Sequence, residues 1–162
     1  MPEAKTTKAA ARDKRQGKSK STQAGEYVHE EIEHVRKGKH GARSAKQAIA
    51  IGLSKARRAG IKAPVSKTAK KSTRQKAAQD EKASGHRKKA ASKRSHATKS
   101  ALKKEGHAAA THASLSKQAK SSARKRSATS RSAAAKKAAR TKGAAGRSAA
   151  AKKAASTRKN KA

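Results

Sequence analysis

Large apolar side chains are sparse along this chain, and they are unevenly placed. Twelve positions hold Met, Tyr, Val, Ile or Leu, and ten of them precede residue 66. Val28, Ile32 and Val35 recur at i, i+4 and i+7, which puts them on one face of a helix. The stripe is narrow. Glu31 flanks it, Tyr27 sits about 100° away, and Glu26, Glu30 and Glu33 fall on the opposite face. Acidic residues early and Arg36-Lys37 late suit the helix dipole, and Gly38 closes the run before a Lys39-His40-Gly41 turn. Ser44 then precedes Gln47 by three positions, the spacing of a capping box. Ala45, Ala48, Ile49, Gly52, Leu53 and Ala56 form the inner stripe of a second helix, with Arg57 and Arg58 in its last turn. Gly60 followed by Ile61 reads as a glycine stop with a hydrophobic contact after it. Ile51 lies off the stripe, where it would serve a partner surface. The pattern predicts a short αα-hairpin over about residues 22–62, with small residues where the helices approach.

The flanks carry no such pattern. Residues 1–21 form a basic arm without sustained apolar periodicity, which predicts disorder. Residues 63–162 are low-complexity, rich in Lys, Arg, Ala and Ser, with Leu102 and Leu115 as their bulky apolar residues beyond Val65. Within them Arg131-Ser132-Ala133-Ala134-Ala135-Lys136-Lys137-Ala138-Ala139 recurs sixteen residues on as Arg147-Ser148-Ala149-Ala150-Ala151-Lys152-Lys153-Ala154-Ala155. Sixteen residues is short for a solenoid unit, and neither copy has an apolar face to stack. Ala and Lys favour helix while neighbouring like charges oppose it. The expectation is a tail disordered when free and partly helical on a polyanion. The fold class expected from sequence is therefore mostly disordered and otherwise all-α. Two helices of this size bury little surface, so homodimerisation through the hairpin, or folding completed on binding, is expected.

Composition sharpens this. The 162 residues include 46 Lys+Arg against 9 Asp+Glu, a formal net charge of +37, with no Phe, Trp or Cys. Residues 1–65 carry a net +10, and residues 66–162 carry +27. Lacking apolar material to line a dry cavity, the chain is not expected to be an enzyme or to bind a small-molecule substrate or cofactor. Without cysteine there is no disulfide framework and no thiolate zinc site. No run approaches the 18 apolar residues of a membrane span, and the first residues lack the apolar centre of a secretory signal. A cytoplasmic location is expected, and no membrane partner.

Charge of this sign and density predicts nucleic acid as the partner. A net +27 matches about 27 phosphates, roughly 13–14 base pairs of duplex. With Tyr27 as the lone aromatic residue of the Phe, Tyr and Trp class, base stacking is not supported, and no recognition helix or zinc finger is visible. Phosphate contact on double-stranded DNA, favoured over RNA, is what remains. The candidate contacts are Arg43, Lys46, Arg57 and Arg58 in the hairpin. In the tail they are Lys88, Lys89, Arg124, Lys125, Arg126, Arg131, Lys136, Lys137, Arg140, Arg147, Lys152 and Lys153. The seven histidines show no metal pattern, since His29/His34 and His107/His112 are each five apart; of them His40, in its glycine-flanked turn, stands out. Glu26, Glu30, Glu31 and Glu33 read as a solvated face or a docking site for the basic arm rather than catalytic carboxylates.

Two resemblances accompany these readings. The segment from Ser21-Thr22-Gln23-Ala24-Gly25-Glu26-Tyr27-Val28 through Gly38-Lys39-His40-Gly41-Ala42-Arg43-Ser44 to Lys55-Ala56-Arg57-Arg58-Ala59-Gly60 resembles small basic bacterial proteins with a short domain of unknown function. These are sometimes labelled plasmid-stabilisation-like or DNA-binding. The resemblance spans roughly residues 3–62 and implies a bacterial origin. The Ala-Ala-Ala-Lys-Lys-Ala-Ala runs are similar to the tails of bacterial histone H1-like proteins, which implies binding and compaction of the nucleoid. Two alternatives stand beside that expectation. One is an RNA- or ribosome-associated basic protein; the other is a stress or plasmid-maintenance adaptor whose hairpin binds a protein.

Overall fold

The computed structural model describes residues 2–66, 69–85 and 92–160, with Lys159 described by its backbone alone. Among the described residues all regular structure is helical: α1 (Ala4–Arg15), α2 (Lys20–Arg36), α3 (Ala45–Arg58), α4 (Lys71–Lys82), α5 (Ser92–Lys104), a 3₁₀ turn (Ala108–Ala110), α6 (His112–Arg124) and α7 (Ala128–Lys159). The chain divides into two compact units, residues 1–118 and 119–162. The all-α expectation holds, and the expectation of a mostly disordered chain is overturned. The arm contributes α1, and the tail contributes α4 to α7.

The reason lies in small and acidic residues that a search for bulky apolar periodicity passes over. In α1, Thr6, Ala10 and Asp13 recur at i, i+4 and i+7, and all three are buried. Ala10 joins Ala24, Tyr27, Ala56 and Ala63 in one core cluster, with Leu53 and Ile61 packed against it. Asp13 takes the Lys18 ammonium at 2.7 Å, so a buried carboxylate is tolerated in the stripe. Four of the five fully buried members of that cluster are alanines. Packing depends on close approach rather than on side-chain bulk.

Local signals set the helix ends. Ser19 caps α2 by accepting from the Thr22 amide, two residues earlier than the expected start. Ser44 caps α3 by accepting from the Gln47 amide, and the Gln47 side chain reaches back to the Arg43 amide. The stop at Gly60 is a Schellman motif. Its φ of +89° belongs to the left-handed region, the Gly60 amide bonds the Arg57 carbonyl, and the Ile61 amide bonds Ala56. Lys37-Gly38-Lys39 ends α2 in the same way.

α2 and α3 pack along each other. Gly52 is the point of closest approach, where a methyl group would lie 2.6 Å from the Val28 Cα. A second cluster gathers Val35, Ala42, Ala48, Ala109 and Ala110, with Ile32 packed against it. The module is thus larger than residues 22–62: α1 covers α2, α4 lies against α3, and the 3₁₀ turn seats on both α2 and α3. Arg36 Nε donates to the Ala110 carbonyl, the Gly41 amide to Leu102, and the Ala42 amide to Gly106.

The stripe expected on α2 also needs correcting. Val28 and Ile32 are half-buried, whereas Glu30 and Glu31, expected on or beside the solvated face, are 5% and 0% exposed. With α1 as well as α3 packed on it, α2 has no broad solvent face to give them.

In the second unit, α7 holds both copies of the sixteen-residue repeat. It is broken at Gly143, whose φ of +65° and ψ of 175° lie outside the helical region. One copy falls on each side of the break. Repulsion of about 0.2–0.5 kcal/mol per i, i+4 pair is small against the preference of Ala and Lys for helix summed along each segment.

Candidate functional site

Carboxylates are confined to the first unit, and the fold uses most of them to hold cations. Glu3 pairs with Lys39 and His34, Asp13 with Lys18, Glu30 and Glu31 with Lys55, Glu33 with Arg36 and Lys37, Asp80 with Arg58 and Lys76, and Glu105 with Arg43. The Glu3 carboxyl is lowered to about 2, first by the hydrogen bond from Lys39 and then by that from His34. Burial pushes Glu30 upward, but hydrogen bonds from the Thr6 hydroxyl and the Glu3 amide, with the charge of Lys55, hold it below its usual value.

Residues 119–162 hold fifteen Lys and Arg and no Asp or Glu. Every described basic side chain from Lys120 to Arg158 is exposed. Arg124, Lys125, Arg126, Arg131, Lys136, Lys137, Arg140, Arg147, Lys152 and Lys153, expected as contacts, all belong to this set. Arg126 donates to the Ser130 side chain and carbonyl, and Arg147 to the Ala139 carbonyl across the break at Gly143. No carboxylate neutralises them within the unit.

The contacts expected in the first unit fare differently. Lys46 is exposed. Arg43 is largely exposed, with Nε 3.5 Å from Glu105, and Arg58 is bound to Asp80 through Nε and Nη2 at 3.0 Å. Arg57 is 8% exposed, with no hydrogen-bond partner on its Nε, so it leaves the set of surface contacts. It sits on the packed side of α3, a position that the basic composition of the last turn conceals. Lys88 and Lys89 lie outside the described residues. Tyr27 is 2% exposed, which removes the lone candidate for base stacking.

A second feature was not legible as a site. Glu31 is fully buried, and neither of its oxygens accepts a hydrogen bond of good geometry. The Lys55 Nζ lies 2.5 Å from Oε2, and the His40 Nε2 lies 3.3 Å from Oε1. His34 stands one turn along α2 from Glu31, with its ring edge-on to His40 at a centroid separation of 6.1 Å. Its Nε2 is 2.8 Å from Glu3 Oε1. The His40 Nδ1 makes a 3.1 Å hydrogen bond with the Gly41 carbonyl. The Glu31-x-x-His34 spacing, read together with the glycine-flanked His40, was the available signal.

Comparison with known proteins returns no match of this chain to a family model, a curated protein or a solved structure. Among the described residues no helix is long and apolar enough to cross a membrane.

Proposed function

We propose that this protein binds double-stranded DNA without sequence preference, through phosphate contacts made by residues 119–162. The observation that carries this reading is the division of charge: fifteen basic residues without one carboxylate in that unit, and described side chains that all face solvent. In the first unit, by contrast, carboxylates hold many of the cations. Helices with cations exposed around them suit a regular anionic lattice, because contacts are interchangeable and no register is required. The two copies of the repeat, one on each side of Gly143, give the unit two similar cationic segments. That supports bridging of neighbouring duplexes as well as screening of one. In this reading the first unit, built on the α2–α3 hairpin, is the fixed body to which the cationic unit is attached. The protein works in the cytoplasm on the nucleoid, the role that the resemblance to histone H1-like tails implies.

The test is duplex binding against salt, with a 24-base-pair DNA of mixed sequence followed by fluorescence anisotropy. The log–log slope is about −0.9 per phosphate contacted, so fifteen cations set a limit near −13, and six or more contacts give about −5 or steeper. Scrambling the sequence leaves the affinity unchanged. A slope near zero rejects the proposal. Preferential capture of structured RNA over DNA of equal length makes RNA the partner instead.

A further inference from the structure

We propose that Glu31, His34 and His40 form a binding site for a divalent transition metal ion of the zinc class. This is independent of nucleic-acid binding. Each residue offers one ligand atom, and the three atoms lie within 4.8 Å of one another. The Glu31 Oε1 to His40 Nε2 distance of 3.3 Å matches the edge of a tetrahedron with metal–ligand bonds of about 2.0–2.1 Å. Two imidazole nitrogens and one carboxylate oxygen make a donor set suited to zinc or cobalt, not to calcium or magnesium, which prefer oxygen alone.

Glu31 supplies an independent argument. It is 0% exposed, and its oxygens lack a hydrogen-bond donor of good geometry. Leaving a buried acceptor without a donor is unfavourable, and more so when the group is charged. Lys55 approaches Oε2 and leaves Oε1 turned toward His40. The His40 Nδ1 donates to the Gly41 carbonyl, and this holds the ring with its Nε2 facing the Glu31 Oε1. A metal ion seated between these two atoms would take both as ligands, and the Gly41 carbonyl would be the outer partner that orients a metal-bound histidine.

The surroundings admit a dication despite the net charge of the chain. Glu3, Glu30 and Glu31 face Lys39 and Lys55 around this cluster, so carboxylates outnumber ammonium groups there. The histidine side chains are 12% and 18% exposed, which gives the ion a path in and leaves a fourth position for solvent. Glu31 and His34 come from α2, His40 from the turn that follows, and Glu3 at the N-cap of α1 touches the His34 ring. A bound ion would therefore fix the α2 turn and draw the start of α1 toward it.

The experiment uses the full chain freed of metal by chelator, titrated with zinc chloride in a calorimeter and with cobalt chloride in a spectrophotometer. One equivalent of zinc is expected to bind with micromolar or tighter affinity, and the cobalt form is expected to show the intense visible bands of a four-coordinate ion. His34→Gln and His40→Gln are each expected to weaken zinc binding by about tenfold or more. A His96→Gln/His112→Gln double variant is expected to leave it unchanged. Circular dichroism checks that each variant keeps its helix. Glu31→Gln is avoided because that side chain is fully buried. Absence of stoichiometric zinc binding, a six-coordinate cobalt spectrum, or affinity unchanged in folded His40→Gln would overturn the assignment. The wild-type titration and spectrum decide the matter even if a variant fails to fold.

Discussion

Asp80 shows how single carboxylates organise this basic chain. It is 2% exposed on α4 and accepts from the Ser54 hydroxyl at 2.7 Å and the Arg58 Nε at 3.0 Å, with Lys76 at 3.5 Å. Burial pushes its carboxyl upward, but the Ser54 and Arg58 hydrogen bonds and the charge of Lys76 outweigh it and hold the group below its ordinary value of 3.8. A group whose pKa is lower in the folded state stabilises the fold fully above its unfolded value. That contribution is lost as pH falls through 3.8 toward the folded value. Asp80→Asn is expected to lose about 1–3 kcal/mol at neutral pH, measured by urea unfolding. The gap to the wild type is expected to close in more acidic solution, where Asp80 itself becomes neutral; a gap independent of pH would mean that shape, not charge, is what Asp80 supplies. The attachment of α4 to α3 through Ser54 and Arg58 was not legible in the sequence, because nothing local links residue 80 to residues 54 and 58.

At the scale of elements, legibility followed the kind of signal. The capping of α3 by Ser44 and its glycine stop at Gly60 are local hydrogen-bonding devices, and the structure holds both as the residues suggested. Helix α1 was missed because Thr6, Ala10 and Asp13 form a stripe without a bulky residue, which becomes informative only when α2 covers it. The sixteen-residue repeat was plain, but the break between its copies was not, since an isolated glycine within a helical run is also tolerated unbroken. At φ +65° and ψ 175°, a region essentially reserved for glycine, an alanine is disfavoured by about 1–3 kcal/mol, while in a helix it is preferred to glycine by about 1 kcal/mol. Gly143→Ala is therefore expected to join the two segments of α7 and raise the helical ellipticity. An unchanged spectrum would show that contacts other than the glycine maintain the break.

For the whole molecule the organising quantity is the distribution of carboxylates. All nine lie at or before residue 105, and seven of them hold cations in ion pairs. Removing residues 119–162 is expected to leave a chain that unfolds cooperatively, since both core clusters lie before residue 111. It is expected to lower duplex affinity by about a hundredfold or more at low salt. Full retention of DNA binding by the shortened chain would move the interface to Lys46 and its neighbours in the first unit.

The sign and unevenness of the charge, the all-helical class, the ends of α3 and the scarcity of apolar material can all be read along the chain. These follow from composition and from interactions a few residues long. It takes the packing of the helices to show that the arm forms α1, that Arg57 turns inward while Lys46 stays out, and that Glu31 is buried between Lys55 and His40. Each of those depends on which helix covers which face. In a core made chiefly of alanine, the faces differ too little in hydrophobicity for the linear pattern to tell them apart. The buried carboxylate and its histidines emerge where that ambiguity is resolved, through contacts between residues that share no periodic signal.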